Sequence, residues 1–187
     1  MNDPILASFL EHQYHEGMAL AARSDLLELV PLEPAPYQRY IVRLFCKGLV
    51  YRNEQVMEAN HFEVGVQFPD DYLRRIEPAE VLTLLGPRDT FHPNILHFWI
   101  CAGHLIPGTG LVDLIYSVFE IFSYTKVTMT ERDALNPNAC VWARENRHRF
   151  PIDRRPLVRP QPVGAGDPEA GEKAVRQASA SRTGGAS

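Results

Sequence analysis

Apolar side chains recur at Leu6, Leu10, Tyr14, Met18 and Ala21, a spacing that predicts an amphipathic helix over residues 4–22. Asp3-Pro4 supplies its start: an aspartate able to cap, then a proline at the first helical position, where the missing N–H costs nothing. From Leu26 the pattern turns strand-like. Residues 26–30 read as a first strand, stopped by Pro31, Pro34 and Pro36. Residues 40–46 read as a second, bent at Lys47-Gly48 and continued by residues 49–51. Residues 61–68 alternate strictly, which sets Phe62, Val64, Val66 and Phe68 on one face of a third. A turn at residues 69–72 and a fourth strand at 81–85, before Gly86-Pro87, complete an antiparallel meander.

Beyond Gly110, Leu111, Leu114, Ile115, Val118, Phe119 and Phe122 give the strongest helical pattern in the chain, a helix expected to cover one face of the sheet. Asn136-Pro137 repeats the cap-and-proline start, and residues 139–148 are expected to form a short helix with Val141 and Trp142 inward, ended by Pro151. From Arg154 the chain is rich in Pro, Gly, Ala and Ser, too poor in large apolar residues to order itself. The expectation is an α+β domain over residues 1–153 followed by a flexible tail, 154–187. Its order is an N-terminal helix, a four-stranded antiparallel meander, a long active-site loop and two helices.

Composition adds limits. The 187 residues are 45% apolar and 22% charged, ordinary for one globular domain. A net charge of −4 with no dense basic block argues against nucleic acid as a partner. No apolar run reaches membrane-spanning length and the first residues lack signal-peptide order, so a cytoplasmic protein without a membrane partner is expected. Three cysteines, an odd number without framework spacing, fit free thiols in a reducing compartment.

Candidate chemistry gathers in residues 91–104, where one cysteine, three histidines and one asparagine fall within fourteen positions. Pro93 confines His92 to extended or turn backbone and Asn94 suits a turn, so this reads as a loop. Ile95, Phe98, Trp99 and Ile100 would lay it against the core, with Cys101 near the surface. A thiol and a carboxamide on one rigid loop point to acyl transfer, with Cys101 as nucleophile and Asn94 as hydrogen-bond donor or positioning group. His104 either raises the thiolate fraction of Cys101, or acts as base to an incoming amine, or is a plain exposed loop histidine. A zinc site from His92, His97, Cys101 and His104 lacks the usual ligand spacing, and no metal is assigned. Cys46, in a strand, and Cys140, in a helix, read as packing residues. Asp70 and Asp71 read as turn residues and Asp113 as a helix-start charge.

Three stretches in this order resemble the ubiquitin-conjugating enzyme family. They are Phe68-Pro69-Asp70-Asp71-Tyr72, like its turn after the third strand; Phe91-His92-Pro93-Asn94-Ile95 followed by Ile100-Cys101, like its His-Pro-Asn motif and active cysteine; and Leu135-Asn136-Pro137-Asn138-Ala139, similar to the start of its next-to-last helix. The resemblance covers about residues 4–150 and implies the UBC-like fold. It implies that Cys101 accepts the C-terminal glycine of a ubiquitin-like protein from an activating enzyme, holds it as a thioester and yields it to an amine of a target protein. Asn94 would orient the loop or stabilise the oxyanion, His92 would lock the loop by hydrogen bonds, and Tyr124, Thr125, Asp133 and Asn138 would border the cysteine as acceptor-gating residues do in the family. No cofactor is implied, since the activating enzyme would use the ATP. The compact form resembles the family's bacterial relatives, which work beside their own activating enzyme, ubiquitin-like protein or nucleotidyltransferase partners in antiviral defence. The rival expectation is a non-enzymatic member of the same fold that presents a ubiquitin-like protein or scaffolds a partner. Gly184-Gly185, though similar to the diglycine end of a ubiquitin-like protein, reads as low-complexity sequence.

Overall fold

The computed structural model describes residues 3–158. Asp3 caps helix α1 (Pro4–Ala22), its carboxylate accepting the N–H groups of Ile5 and Leu6 at 3.0 and 3.3 Å. Strands β1 (Leu27–Pro31) and β2 (Arg39–Leu44) follow, then a hairpin of β3 (Gly48–Arg52) and β4 (Gln55–Ala59), then β5 (Phe62–Gln67). A short helix, α2 (Pro78–Val81), leads into β6 (Leu82–Gly86), and a second small hairpin pairs β7 (Ile95–Leu96) with β8 (Trp99–Ile100). Helices α3 (Leu111–Phe122) and α4 (Pro137–Glu145) complete an α+β fold, with single 3-10 turns before and after α4.

The expected meander is present as β1-β2-β5-β6, all antiparallel, and β8 and β7 extend the same sheet past β6. One face carries Leu27, Leu29, Tyr40, Val42, Leu44, Phe62, Val64, Val66, Leu82 and Leu84, buried against α1 and α3. On the other, Arg43 reaches Glu63 at 2.8 Å and Glu28 at 3.1 Å, following the register that sets these three residues side by side.

The buried line of α1 runs through Leu6, Leu10, Gln13, Gly17 and Leu20, while Tyr14, Met18 and Ala21 pack at its flank. Contact with α3 explains the rotation. A Cβ on Gly17 would lie 2.6 Å from Leu111 Cδ2, so the two helices approach where a side chain is missing. One turn earlier, Gln13 Oε1 accepts the Leu111 N–H at 2.7 Å, capping α3 from a neighbouring helix because its own N-cap residue is Gly110.

Residues 49–51 do not continue the second strand. They pair with β4 in a separate two-stranded sheet. The second strand ends at Leu44, so Cys46, expected within it, lies in the link to β3, which begins at Gly48, where a Cβ would lie 2.4 Å from the Phe62 ring. Strand β4 escapes a sequence reading because its side chains are exposed or half-buried throughout, and its turn uses Asn53 and Glu54 at φ 49° and 61° without a glycine.

Two further expectations are corrected. In the short helix the buried residues are Ala139, Cys140 and Ala143; Val141 and Trp142 are only half-buried, because α4 packs through its small side chains. Residues 154–158, assigned by composition to the tail, are packed on the body: Leu157 is buried in the main core, and Arg155 donates to the Phe45 carbonyl at 2.9 Å while gripping Asp153. One leucine and one ion pair suffice there, which an average over the segment hides. The remainder of that tail, 159–187, with Gly184-Gly185, lies outside the described residues. Among the described residues no helix is long and apolar enough to cross a membrane.

Candidate active site

The 91–104 segment rests on the β3–β4 hairpin. Phe91 N–H bonds the Leu49 carbonyl at 2.8 Å, Val50 bridges Thr90, and Leu49, Phe91, Tyr124 and Ala139 form a second small core flanked by Trp142 and Phe150. The start of α4 is tied in as well, through Asn136 N–H on the Pro93 carbonyl at 3.0 Å. Two of the three motif stretches, residues 91–101 and 135–139, therefore meet here, whereas in the third Phe68 and Tyr72 pack on Phe9 of α1.

The loop is more regular than expected. Ile95 pairs with Ile100 and Leu96 with Trp99, so strand alternation turns the isoleucines inward and leaves the other pair outside. Phe98 and Trp99, expected to anchor the loop, are 53% and 42% exposed, their rings 4.9 Å apart. His97 occupies the hairpin turn, at φ 55° and exposed.

His92 is sealed at 1% exposure, with its Nδ1 accepting the Asn94 N–H at 3.0 Å. An accepting Nδ1 fixes the neutral tautomer with its proton on Nε2. Burial pushes this imidazole down to about 3. The Lys126 backbone acts against that shift, yet Nε2 makes no hydrogen bond of normal geometry. The ring packs edge-on against Tyr124, 4.4 Å between centroids, and the Tyr124 hydroxyl donates to the Phe91 carbonyl.

Asn94, 5% exposed, joins the loop to the thiol-bearing residue. Its backbone carbonyl accepts the Cys101 N–H at 2.8 Å, its Nδ2 donates to the Cys101 carbonyl at 3.1 Å, and its Oδ1 accepts the Thr128 N–H at 3.0 Å. An acceptor on one side and a donor on the other leave only one orientation of the amide. Cys101 itself is partly exposed, whereas Cys46 and Cys140 are fully buried. Burial, reinforced by the nearby Asp153 charge, pushes the Cys46 thiol up to about 12.

His104 is exposed and no hydrogen bond joins it to Cys101. His92, His97 and Cys101 are not brought into one coordination sphere: the first is sealed, the second sits at a hairpin tip. Among the described residues no group of three or more His, Cys, Asp or Glu is placed to hold a metal ion. Of the four residues expected to border the cysteine, Tyr124 lies buried under His92, Thr125 closes α3 by donating to the Glu120 carbonyl at 3.1 Å, and Asp133 and Asn138 are exposed.

Two contributors escaped the sequence reading, Thr128 and Lys126, whose Nζ donates to the Ala102 carbonyl at 2.5 Å. Both lie on the stretch after α3, brought back across the site by Tyr124 in the left-handed region at φ 59°. A cation just past the best helix, in a chain otherwise stocked with arginine, was the available signal. No protein-family model matches the chain, and no curated protein matches it.

Proposed function

We propose that this chain is a ubiquitin-conjugating-type transferase, which carries a ubiquitin-like protein as a thioester on Cys101 and passes it to an amine or lysine acceptor. The observation that carries the reading is the grip of Asn94 on Cys101. The only partly exposed cysteine follows a buried carboxamide whose orientation is set on both sides. The order of helix, four-strand meander, cysteine loop and helices supports a UBC-like arrangement, and the three motif stretches resemble that family in the same order.

In this reading the chain's own groups do four things. Cys101 attacks the incoming thioester and takes over the acyl group, with the activating enzyme's thiol leaving. The amine of the acceptor then attacks the acyl carbon, and Cys101 leaves as thiolate. Asn94 Nδ2 keeps one N–H on the Cys101 carbonyl and offers the other to the oxyanion that develops. His92 holds the bend from below, neutral across the working range because its site is dry. Carrier chemistry of this kind needs position and charge shelter rather than a resident cofactor.

A scaffold reading has its own support: Phe98 and Trp99 stand exposed at the loop tip, as a docking surface would present them. Incubation with an activating enzyme, ATP and ubiquitin-like protein, followed by non-reducing electrophoresis, separates the two. The carrier gives a thiol-labile adduct that Cys101→Ser converts to a thiol-resistant ester. A scaffold binds the ubiquitin-like protein and gives neither.

A further inference from the structure

Lys126 brings an ammonium to the candidate site. Its Nζ donates to the carbonyl of Ala102, directly after Cys101, at 2.5 Å, and a Cβ on Gly103 would come within 3.4 Å of the same nitrogen. None of the ion pairs among the described residues includes it. The segment beneath is fixed by Lys126 N–H on the Glu120 carbonyl at 3.0 Å and by Thr128 N–H on Asn94. One strap therefore orients the carboxamide and delivers an amine to the peptide segment that carries the thiol.

The composition gives this placement weight. The chain has three lysines, Lys47, Lys126 and Lys173, against sixteen arginines. A guanidinium stays protonated and does not attack thioesters, whereas a lysine amine does. A surface built with arginine protects a carried acyl group from the carrier itself. Lys126 departs from that pattern on the peptide carbonyl that follows Cys101, while Lys47 lies in the segment anchored on Asp153.

We propose that Lys126 is an internal acceptor: an acyl group carried on Cys101 migrates to the Lys126 amine and leaves the chain self-modified. The inference rests on the carrier reading given above. In the step, the ammonium gives one proton to solvent, its stem rotates away from the Ala102 carbonyl, and the neutral amine attacks the thioester carbonyl. A C–N bond forms, the C–S bond breaks, Cys101 departs as thiolate and the amine's proton passes to solvent. No oxidant or reductant enters. The product is an amide standing over a regenerated thiol, which shields Cys101 from its next charge and so limits the carrier when acceptors are scarce.

The test uses the full chain and a small probe, the 2-mercaptoethanesulfonate thioester of acetylglycine, at mildly alkaline pH. Acylated peptides are mapped by mass spectrometry with and without hydroxylamine, which removes thioesters and spares amides. The expected course is acylation of Cys101 followed by a hydroxylamine-stable amide on Lys126. Its rate is independent of protein concentration and roughly tenfold or more above that at Lys47 or Lys173. Lys126→Arg removes this amide and lengthens the life of the Cys101 adduct; Cys101→Ser reduces the Lys126 amide to the background of the other lysines. A Cys101 adduct that forms but moves to Lys126 no faster than to the other two, or an amide that forms equally in Cys101→Ser, overturns the internal acceptor and leaves the carrier standing. Failure of Cys101 to acylate overturns both.

Discussion

Asn94 occupies both backbone groups of Cys101, accepting its N–H at 2.8 Å and donating to its carbonyl at 3.1 Å. The thiol's position is therefore a property of the asparagine as much as of the loop. Replacing Asn94 by Ala leaves the first bond, which is backbone to backbone, and removes the second together with the partner of the Thr128 N–H. Loading of Cys101 should persist, while discharge to free lysine in a single-turnover assay should slow by roughly 10- to 100-fold. Equal discharge rates in variant and parent would remove Asn94 from the mechanism.

Thiol accessibility gives a second expectation. Under native conditions iodoacetamide should modify Cys101 alone, because Cys46 and Cys140 have no exposed surface and the Cys46 thiolate is further disfavoured by its carboxylate neighbour. Cys101→Ser should take up no label until the chain is unfolded. Rapid labelling of either buried cysteine would contradict the burial of Cys46 in the link between β2 and β3 and of Cys140 in α4.

Stability should fall with acidity in a way that names His92. Its folded pKa, about 3, lies below the ordinary 6.5, so between those values the unfolded chain binds a proton that the folded chain refuses. The contribution is complete above 6.5 and is lost as pH drops toward 3, at about 1.4 kcal/mol per pH unit. Urea midpoints measured from pH 7 to 4 should show this slope. His92→Asn, which keeps an acceptor for the Asn94 N–H, should flatten it.

At lower pH a different group takes over. Asp153 is buried, accepts the Lys47 N–H at 3.1 Å and is bound by Arg155, whose guanidinium holds the carboxylate down from 3.8 to about 2. That stability is present above the unfolded value and disappears as pH falls through the interval. With a half-exposed arginine the pair contributes roughly 1–2 kcal/mol. Asp153→Asn should lower stability at neutral pH by that amount and leave thermal midpoints nearly unchanged relative to the parent below pH 2.

Gln13 offers a test of the helix pair. Gln13→Ala leaves the buried Leu111 N–H without its acceptor, and a loss of about 1–3 kcal/mol in chemical denaturation is expected. Gln13→Glu, which keeps an oxygen at the same place, should recover most of it.

These elements also show which parts of the molecule local pattern reveals. Strict alternation in residues 62–67 and the apolar stripe of α3 were plain, because each element buries one continuous face against the same core. Strand β4 was hidden because neither of its faces is buried. The rotation of α1 was hidden for another reason: Gly17 and Gln13 earn their inward places from Leu111, nearly a hundred residues away. At the site, Asn94 and Cys101 were named from their residue types on one short loop, and His92 from the resemblance of that loop to a His-Pro-Asn motif. Thr128 and Lys126 were not, because a turn at Tyr124 folds a distant stretch over them.

The outward pairing of Leu96 with Trp99 has a practical corollary. One of the chain's two tryptophans sits in water two positions before the thiol, while the other, Trp142, is half-covered by Phe91 and Arg149. Indole emission thus divides into a solvent-facing component beside Cys101 and a sheltered one at α4. Anything that settles on the cysteine should shift the former toward the blue, giving the protein a built-in optical gauge of occupancy.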